Sequence, residues 1–268
     1  MKRPMLEIDG LCVDYPARRS QARAPGTAAL QQVSFTLEQG RSLAVVGESG
    51  SGKSTLARAI LRLVSPSAGA VRWFGESIHA AGRRRLREIR RESQIVFQDP
   101  VGSLDPRMTV ERSLREALEA HGAATSGHGA AAPVNEALLR VGLDPSLRGR
   151  YPHELSGGQC QRVAIARATI VSPRLLICDE ATSALDVSVQ AQIINLINQI
   201  RLDSKMALMF ITHNLAVARL VCEDVLVLKA GRVVEGGPLE QVFRHPVEPY
   251  TRELLSSAAS VARISPRL

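Results

Sequence analysis

Nine consecutive residues, Gly47-Glu48-Ser49-Gly50-Ser51-Gly52-Lys53-Ser54-Thr55, contain a Gly-x-x-x-x-Gly-Lys-Ser pattern. The chemistry that this spacing supports is the capture of a chain of phosphates. Glycines let the backbone turn tightly around an anion with no Cβ in the way. Successive N–H groups then point inward at a helix N-terminus, where the helix dipole favours negative charge. Lys53 would reach the β- and γ-phosphates of a nucleotide, and Ser54 would offer its hydroxyl to Mg²⁺. A merely flexible Gly/Ser loop is the competing reading. The flanks argue against it, because residues 43–46 are an apolar strand pattern and residues 55–64 a helical one.

Two further stretches carry compatible chemistry. Leu175-Leu-Ile-Cys-Asp179-Glu180 is an apolar strand ending in two carboxylates. A strand tip holds its residues rigidly, so Asp179 can hold Mg²⁺ through its water shell while Glu180 orients and polarises an attacking water. Leu155-Ser156-Gly157-Gly158-Gln159, followed by Cys160-Gln161-Arg162, opens an apolar helix. Serine and two glycines at a helix start form a second anion site, although in isolation the same residues read as an ordinary N-cap.

The elements that must position these residues alternate in type. Residues 6–15 and 33–37 alternate apolar and polar, as half-buried antiparallel strands do. Residues 16–27 between them, rich in Arg, Ala, Pro and Gly, read as a surface loop. Residues 43–46 suit a strand buried on both faces. A turn at 65–69 leads to a short strand at 70–74, and 93–97 is a further strand leading into Gln98. Residues 110–120 and 134–141 are helical, and the Gly/Ala-rich stretch 121–133 is expected to be an exposed, mobile connection. Strands return at 175–178, 207–211 and 225–228, separated by helices at 187–201 and 215–221. This order predicts an α/β fold with a mainly parallel sheet and helices on both faces. The tail from 236 is read as an extension with one short helix near 250–256.

Composition sets bounds on the function. A chain of 268 residues with 45% hydrophobic content can bury a large core. The net charge of +8 is scattered along the chain. Its densest basic run, residues 83–91, reads as the solvated face of a helix, with no interleaved aromatics for stacking bases. The four cysteines have no metal-binding spacing and read as reduced thiols of a cytosolic protein. No apolar run approaches the roughly 20 residues that span a bilayer, and the N-terminal stretch lacks a signal-peptide core. A membrane role would therefore act through partners.

With these three stretches in this order, the sequence resembles the ATP-binding subunits of ABC transporters, whose signature motif is the Ser156 stretch. The resemblance covers nearly the whole chain. It implies a P-loop NTPase core, an N-terminal antiparallel β subdomain and an inserted α-helical subdomain at about 100–160. Residues 1–240 would form the nucleotide-binding domain and 241–268 a C-terminal extension. The family's motifs place Tyr15 against adenine and Gln98 at Mg²⁺ and the attacking water. They make Ser183-Ala-Leu-Asp186 the link between the two sites of a dimer, and His213 a contact to the γ-phosphate. Ser156 and its glycines would close on ATP held by the opposite protomer. Phe97-Gln-Asp-Pro-Val-Gly-Ser-Leu-Asp-Pro-Arg-Met-Thr109, Arg150-Tyr-Pro-His-Glu-Leu155 and His245-Pro-Val-Glu-Pro-Tyr-Thr251 resemble the oligopeptide, dipeptide and nickel importer branch.

The resemblance then implies a peripheral ATPase on the cytoplasmic face of the inner membrane. It would dimerise head to tail with the same or a homologous chain, bind two MgATP and drive two membrane-spanning permease subunits. An extracytoplasmic solute-binding protein would act indirectly, and no nucleic acid is expected. The coupling surface would lie at 98–108, with Leu104 on it. Cys160, Arg41 and Ala181 depart from the residues usual in the family, and the tail carries no cysteine cluster for an iron–sulphur centre. A soluble ABC ATPase acting on nucleic acid or ribosomes typically shows two cassettes, a long heptad insertion or zinc cysteines, and this sequence shows none. An exporter subunit is the other alternative, and the tail argues against it.

Overall fold

The computed structural model describes residues 3–15, 27–122, 131–183 and 185–264. In chain order the elements are β1 (Leu6–Tyr15), β2 (Thr27–Leu37), β3 (Ser42–Val46), α1 (Lys53–Ile60), β4 (Ala68–Trp73), β5 (Glu76–Ser77), α2 (Arg83–Glu92), β6 (Ser93–Val96), α3 (Val110–Ala120) and α4 (Ala131–Arg140). They continue with α5 (Gly157–Thr169), β7 (Leu175–Asp179), α6 (Val187–Ser204), β8 (Ala207–Ile211), α7 (Leu215–Val221), β9 (Asp224–Lys229), β10 (Arg232–Pro238), α8 (Leu239–Arg244) and α9 (Pro249–Ile264). The chain forms two compact units, Met1–Gly82 with Met209–Leu268, and Arg83–Leu208.

In the first unit, β1 pairs antiparallel with β2 on one side and β4 on the other, and β5 adds to β4. The alternation in β1 is real: Leu6, Ile8, Leu11 and Val13 are buried, beside Leu30, Val33, Val71 and Trp73. Burying each such side chain contributes about 1.5–3 kcal/mol. The alternation is interrupted at Gly10, whose N–H donates to Ser34 Oγ at 2.8 Å. Gly69 lies against it, and a Cβ there would meet Gly10 O at 2.2 Å. β2 starts at Thr27, earlier than the 33–37 alternation indicates. Gln32 takes a left-handed φ of 52° and the β1–β2 register shifts between Leu11↔Val33 and Val13↔Leu30. That irregularity breaks the period on which the sequence reading relied. The loop expected at 16–26 lies outside the described residues.

The same unit holds β3, whose every residue is buried, as the uniformly apolar pattern requires. β9 runs parallel to β3, with Leu43 opposite Asp224 and Val46 opposite Val227. The sheet is not wholly parallel, since β10 pairs antiparallel with β9. The Gly236-Gly237-Pro238 ending had marked this stretch as the start of an extension. Pairing with β9 makes it a strand, and Gln31 accepts from Arg232 Nη2 at 2.8 Å, joining β10 to β2. α1 stops at Ile60, before the expected 64, where Arg62 turns left-handed at φ 51°. The tail holds two helices, and α9 is longer than the 250–256 segment expected.

In the second unit, β6 and β7 run parallel, from Ser93↔Leu175 to Val96↔Cys178. α5 is the central helix, with Val163, Ala164, Ile165, Ala166 and Ala168 buried. α3, α4 and α6 pack on it. The basic helix α2 buries Ile89 and leaves its arginines to pairs such as Arg85–Glu88 at 3.1 Å, the solvated face expected. Residues 123–130 of the expected mobile connection lie outside the description. His121 at its start is half-buried at the end of α3, with Nε2 3.3 Å from Gln94 Nε2. None of the four cysteines is in a disulfide. Among the described residues no helix is long and apolar enough to cross a membrane.

Candidate functional site

The first unit carries the phosphate-binding loop between β3 and α1. Gly47 has φ 150°, and a Cβ there would lie 2.1 Å from Leu228 O. Gly52 has φ 107°, and its Cβ would lie 2.5 Å from Ala29 O. Both positions therefore exclude any side chain. The loop closes on itself through Ser51 N–H to Glu48 O at 3.2 Å, and Gly231 N–H donates to Ser51 O at 2.9 Å. Lys53 opens α1 and is buried. Its ammonium turns back into the loop, donating to Gly47 O at 2.8 Å and Glu48 O at 2.7 Å, with Ser51 Oγ at 3.4 Å. This is a cation inside a ring of backbone at a helix N-terminus whose first turn carries no acidic residue. Phosphate oxygens suit such a place. Ser54 is half-buried, while Glu48, Ser49 and Gly50 are exposed.

The same unit brings two other expected residues towards the loop. Tyr15, the last residue of β1, has its hydroxyl 3.5 Å from Thr55 Oγ1 on α1. Thr212 N–H donates to Val45 O at 3.1 Å, so the chain leaving β8 passes the end of β3, and the exposed His213 follows. Asn214 then caps α7, accepting from Ala216 and Val217 N–H at 3.0 and 3.3 Å. The sequence reading missed one residue at this loop, Tyr250, whose hydroxyl accepts from Glu48 N–H at 3.0 Å. Its only signal was the tail motif His245 to Thr251.

The second unit groups the other set. Because β6 and β7 are parallel and in register at Val96↔Cys178, Gln98 and the Asp179-Glu180 pair emerge from the same edge. Gln98 is exposed, and Asp179 is 6% exposed at the end of a strand that is otherwise fully buried. Burial also pushes the neighbouring Cys178 thiol far up, with the Asp179 charge adding to the effect. Glu180 adopts a left-handed φ of 49°, a conformation that non-glycine residues hold at a cost. Its carbonyl accepts from Ser183 N–H at 3.1 Å and Ser183 Oγ at 3.0 Å, pinning the turn.

The signature stretch is a capping box. Ser156 Oγ accepts from Gln159 N–H at 3.3 Å, and Gln159 Oε1 accepts from Ser156 N–H at 2.9 Å. Gly158 is needed for close packing, since a Cβ there would meet Val189 Cγ1 at 2.9 Å. Val189 lies in the first turn of α6, which Asp186 caps by accepting from Val189 N–H at 2.9 Å. That bond and the Ser188 hydroxyl hold the Asp186 carboxyl below its ordinary range. The signature and the Ser183 to Asp186 loop are thus brought together, with Ala184 outside the described residues. Cys160 fills a fully buried slot, its thiol donating to Pro152 O at 3.4 Å, and burial raises its pKa.

The segment after Gln98 is turn-built, with Gly102 N–H on Asp99 Oδ1 at 3.0 Å and Ser103 N–H on Asp99 O at 3.0 Å. Arg167 Nη1 from α5 anchors it at Ser103 O, 2.6 Å away. Leu104 is 3% exposed and does not lie on the surface, so it cannot present a docking face, whereas Val101 is 50% exposed. The turn folds back on itself and draws Leu104 under the chain while Val101 stays on its outer side. Arg41, a departure from the family pattern, pairs with Asp224 at 2.8 Å and with Glu223 at 3.5 Å, tying the start of β3 to that of β9.

The sequence model of the family described as ABC transporter matches residues 30–183. The oligopeptide transport ATP-binding protein OppF of Salmonella typhimurium is 43% identical over 260 residues, covering 96% of this chain and 78% of OppF. The glutathione import ATP-binding protein GsiA of Salmonella paratyphi A is 44% identical over 268 residues, covering 98% of this chain and 43% of GsiA. Among solved structures, the dimeric ATP-binding cassette MJ0796 bound to ADP and Pi is similar with a TM-score of 0.77 at 29% identity, covering 88% of this chain and 99% of that one. CbiO1 of Clostridium perfringens, part of the ABC transporter complex cbiONQ, has a TM-score of 0.76 at 27% identity and covers 98% of both chains. A glycine loop closed around Lys53, the family match over residues 30–183 and a 43% identity with OppF over 96% of this chain lead to one conclusion: the chain belongs to the ABC transporter family, as an ATP-binding subunit that hydrolyses ATP.

Proposed function

We propose that this subunit powers the import of peptides through separate membrane-spanning permeases, with a second, same or homologous, ATPase chain as its head-to-tail partner. The observation that carries the nucleotide part is the burial of the Lys53 ammonium within its own loop, where it donates to Gly47 O and Glu48 O. The peptide part is supported by the likeness to OppF. Residues 47–55 hold the phosphates, with Lys53 on the β- and γ-groups, and Tyr15 holds the adenine. Ser54, Gln98 and Asp179 offer hard oxygen donors of the kind that Mg²⁺ prefers, and the metal would neutralise charge developing on the phosphates. Glu180 orients the attacking water and His213 contacts the γ-phosphate. Ser156, Gly157, Gly158 and Gln159 close on nucleotide held by the partner chain.

The division of labour follows the sequence. Residues 1–240 are the nucleotide-binding domain, with the helical part at about 100–160, and 241–268 the extension. The protein sits peripherally on the cytoplasmic face of the membrane, and a solute-binding protein delivers the peptide on the other side. Two substitutions test the reading. Lys53→Ala is expected to lose MgATP binding and turnover, each ten-fold loss of affinity corresponding to about 1.4 kcal/mol. Glu180→Gln is expected to keep MgATP bound, to stop hydrolysis almost completely, and to form an ATP-dependent dimer in light scattering. Normal turnover in either variant would overturn the assignment. Copurification of permeases and a peptide-loaded binding protein from detergent-solubilised membranes checks the cargo.

A further inference from the structure

The Gly47 carbonyl and the Glu48 N–H are the two polar ends of one peptide group, and a trans peptide points them in opposite directions. Lys53 Nζ donates to that carbonyl at 2.8 Å. Tyr250 Oη accepts from that N–H at 3.0 Å, across 202 residues of chain. The peptide that begins the phosphate loop is therefore gripped at both ends, once from within the loop and once from α9.

Tyr250 is itself held firmly. It is 5% exposed, and Lys229 Nζ lies 4.4 Å from its ring centroid, within reach of a cation–π attraction. The chain entering α9 is fixed to β10, because Glu235 accepts from Val247 N–H at 2.8 Å and Glu248 N–H at 3.2 Å. Arg252 closes the same turn by donating to Pro246 O at 3.2 Å and Val247 O at 2.6 Å. β10 pairs with β9, and Leu228 of β9 presents the carbonyl against which Gly47 is packed. The loop and the tail thus take their positions from one pair of strands.

We propose that Tyr250 is a positioning residue of the nucleotide site, whose hydroxyl holds the Gly47–Glu48 peptide so that the loop is pre-formed for phosphate. The proposal rests on the reading of residues 47–55 as the ATP-binding loop. A glycine-rich loop loses much conformational freedom when it is ordered around a ligand, and holding it beforehand improves affinity by reducing that loss. When Lys53 turns from its own loop carbonyls to phosphate oxygens, the Tyr250 hydroxyl remains as the side-chain hold on this peptide. The C-terminal segment then belongs to the nucleotide-binding apparatus, although it lies far from the loop in sequence.

Tyr250→Phe in the full chain removes the hydroxyl and keeps the ring beneath Lys229. Calorimetric titration with MgADP should show Kd raised about 3- to 10-fold, the usual weight of one neutral hydrogen bond. The KM for ATP should rise by a similar factor with kcat within roughly two-fold of wild type, the pattern of lost uniform binding. The thermal midpoint should fall by no more than about 4 °C, the weight of one hydrogen bond in a chain of this size, whereas lost packing would lower it further. Wild-type Kd for MgADP in Tyr250→Phe overturns the proposal, as does a fall in kcat with Kd unchanged. If Lys53→Ala loses MgADP while Tyr250→Phe binds normally, only the proposal fails. If the wild-type chain does not bind MgADP, the reading of the loop fails with it.

Discussion

At the residue scale, the glycines of the loop are not equivalent. Gly47 combines φ 150° with a Cβ position 2.1 Å from Leu228 O, whereas Gly50 has φ 79° and nothing within 4 Å. An alanine at 50 meets backbone strain alone, about 1–2 kcal/mol. An alanine at 47 must in addition push β9 or the loop aside, for a total on the order of 2–5 kcal/mol. Gly47→Ala is thus expected to abolish MgATP binding and lower the thermal midpoint by several degrees, while Gly50→Ala keeps the fold and weakens binding. Equal effects of the two in calorimetry and thermal melts would contradict the close packing against Leu228. Cys160 illustrates the opposite case, a departure from the family pattern that the fold absorbs. A small thiol beside Pro152 O satisfies its one weak donor in a slot closed to solvent.

At the element scale, the turn segment after Gln98 separates what is buried from what can be touched. Arg167 from α5 holds it at Ser103 O, and burial depresses the pKa of that guanidinium, with Glu116 opposing. Leu104 is tucked under the turn while Val101 stands out. Leu104→Arg would bury an unpaired charge at a cost on the order of 3–5 kcal/mol, so the isolated subunit should unfold at markedly lower temperature. Val101→Asp should leave its stability within about 0.5 kcal/mol, as surface changes usually do. In the assembled transporter, Val101→Asp should hydrolyse ATP without moving solute, if this segment couples to the permeases. Transport at the wild-type rate in reconstituted vesicles would place coupling elsewhere.

At the scale of the whole molecule, one histidine in each unit is held neutral. Burial lowers the pKa of His79 below its ordinary 6.5, and the Arg62 charge adds to this. Burial likewise lowers that of His121, helped by the charges of Arg91 and Arg87 and opposed by the hydrogen bond that the ring donates to the Arg87 backbone. The unfolded chain therefore binds protons first as pH falls through about 6.5, and stability falls with pH from there until the folded histidines also protonate. The carboxylates held low, such as Asp186 and Glu240, act in a separate and more acidic window. The thermal midpoint should decline between about pH 7 and pH 5.5, and His121→Gln should flatten that slope. A midpoint independent of pH across this range would show that neither histidine is masked.

Sequence alone determined the elements whose information is local. The loop at 47–55, the acid-tipped strand and the capped signature helix each use neighbouring residues at a fixed spacing. α3, α7 and β8 match their apolar period at both ends, as does β1. Tertiary structure decided what depends on partners brought from far along the chain. β10 is a strand because β9 offers it an edge, and the early residues of β2 extend because β1 pairs with them across a bulge. Leu104 is inside because a turn folds it there, and Arg41 is tolerated because Glu223 and Asp224 stand beside it. Tyr250 reaches Glu48 because β9 and β10 carry the tail back to the loop. Periodicity records the environment that a segment needs, whereas pairing, burial and long-range hydrogen bonds depend on which other segment supplies it, and only the folded chain makes that choice.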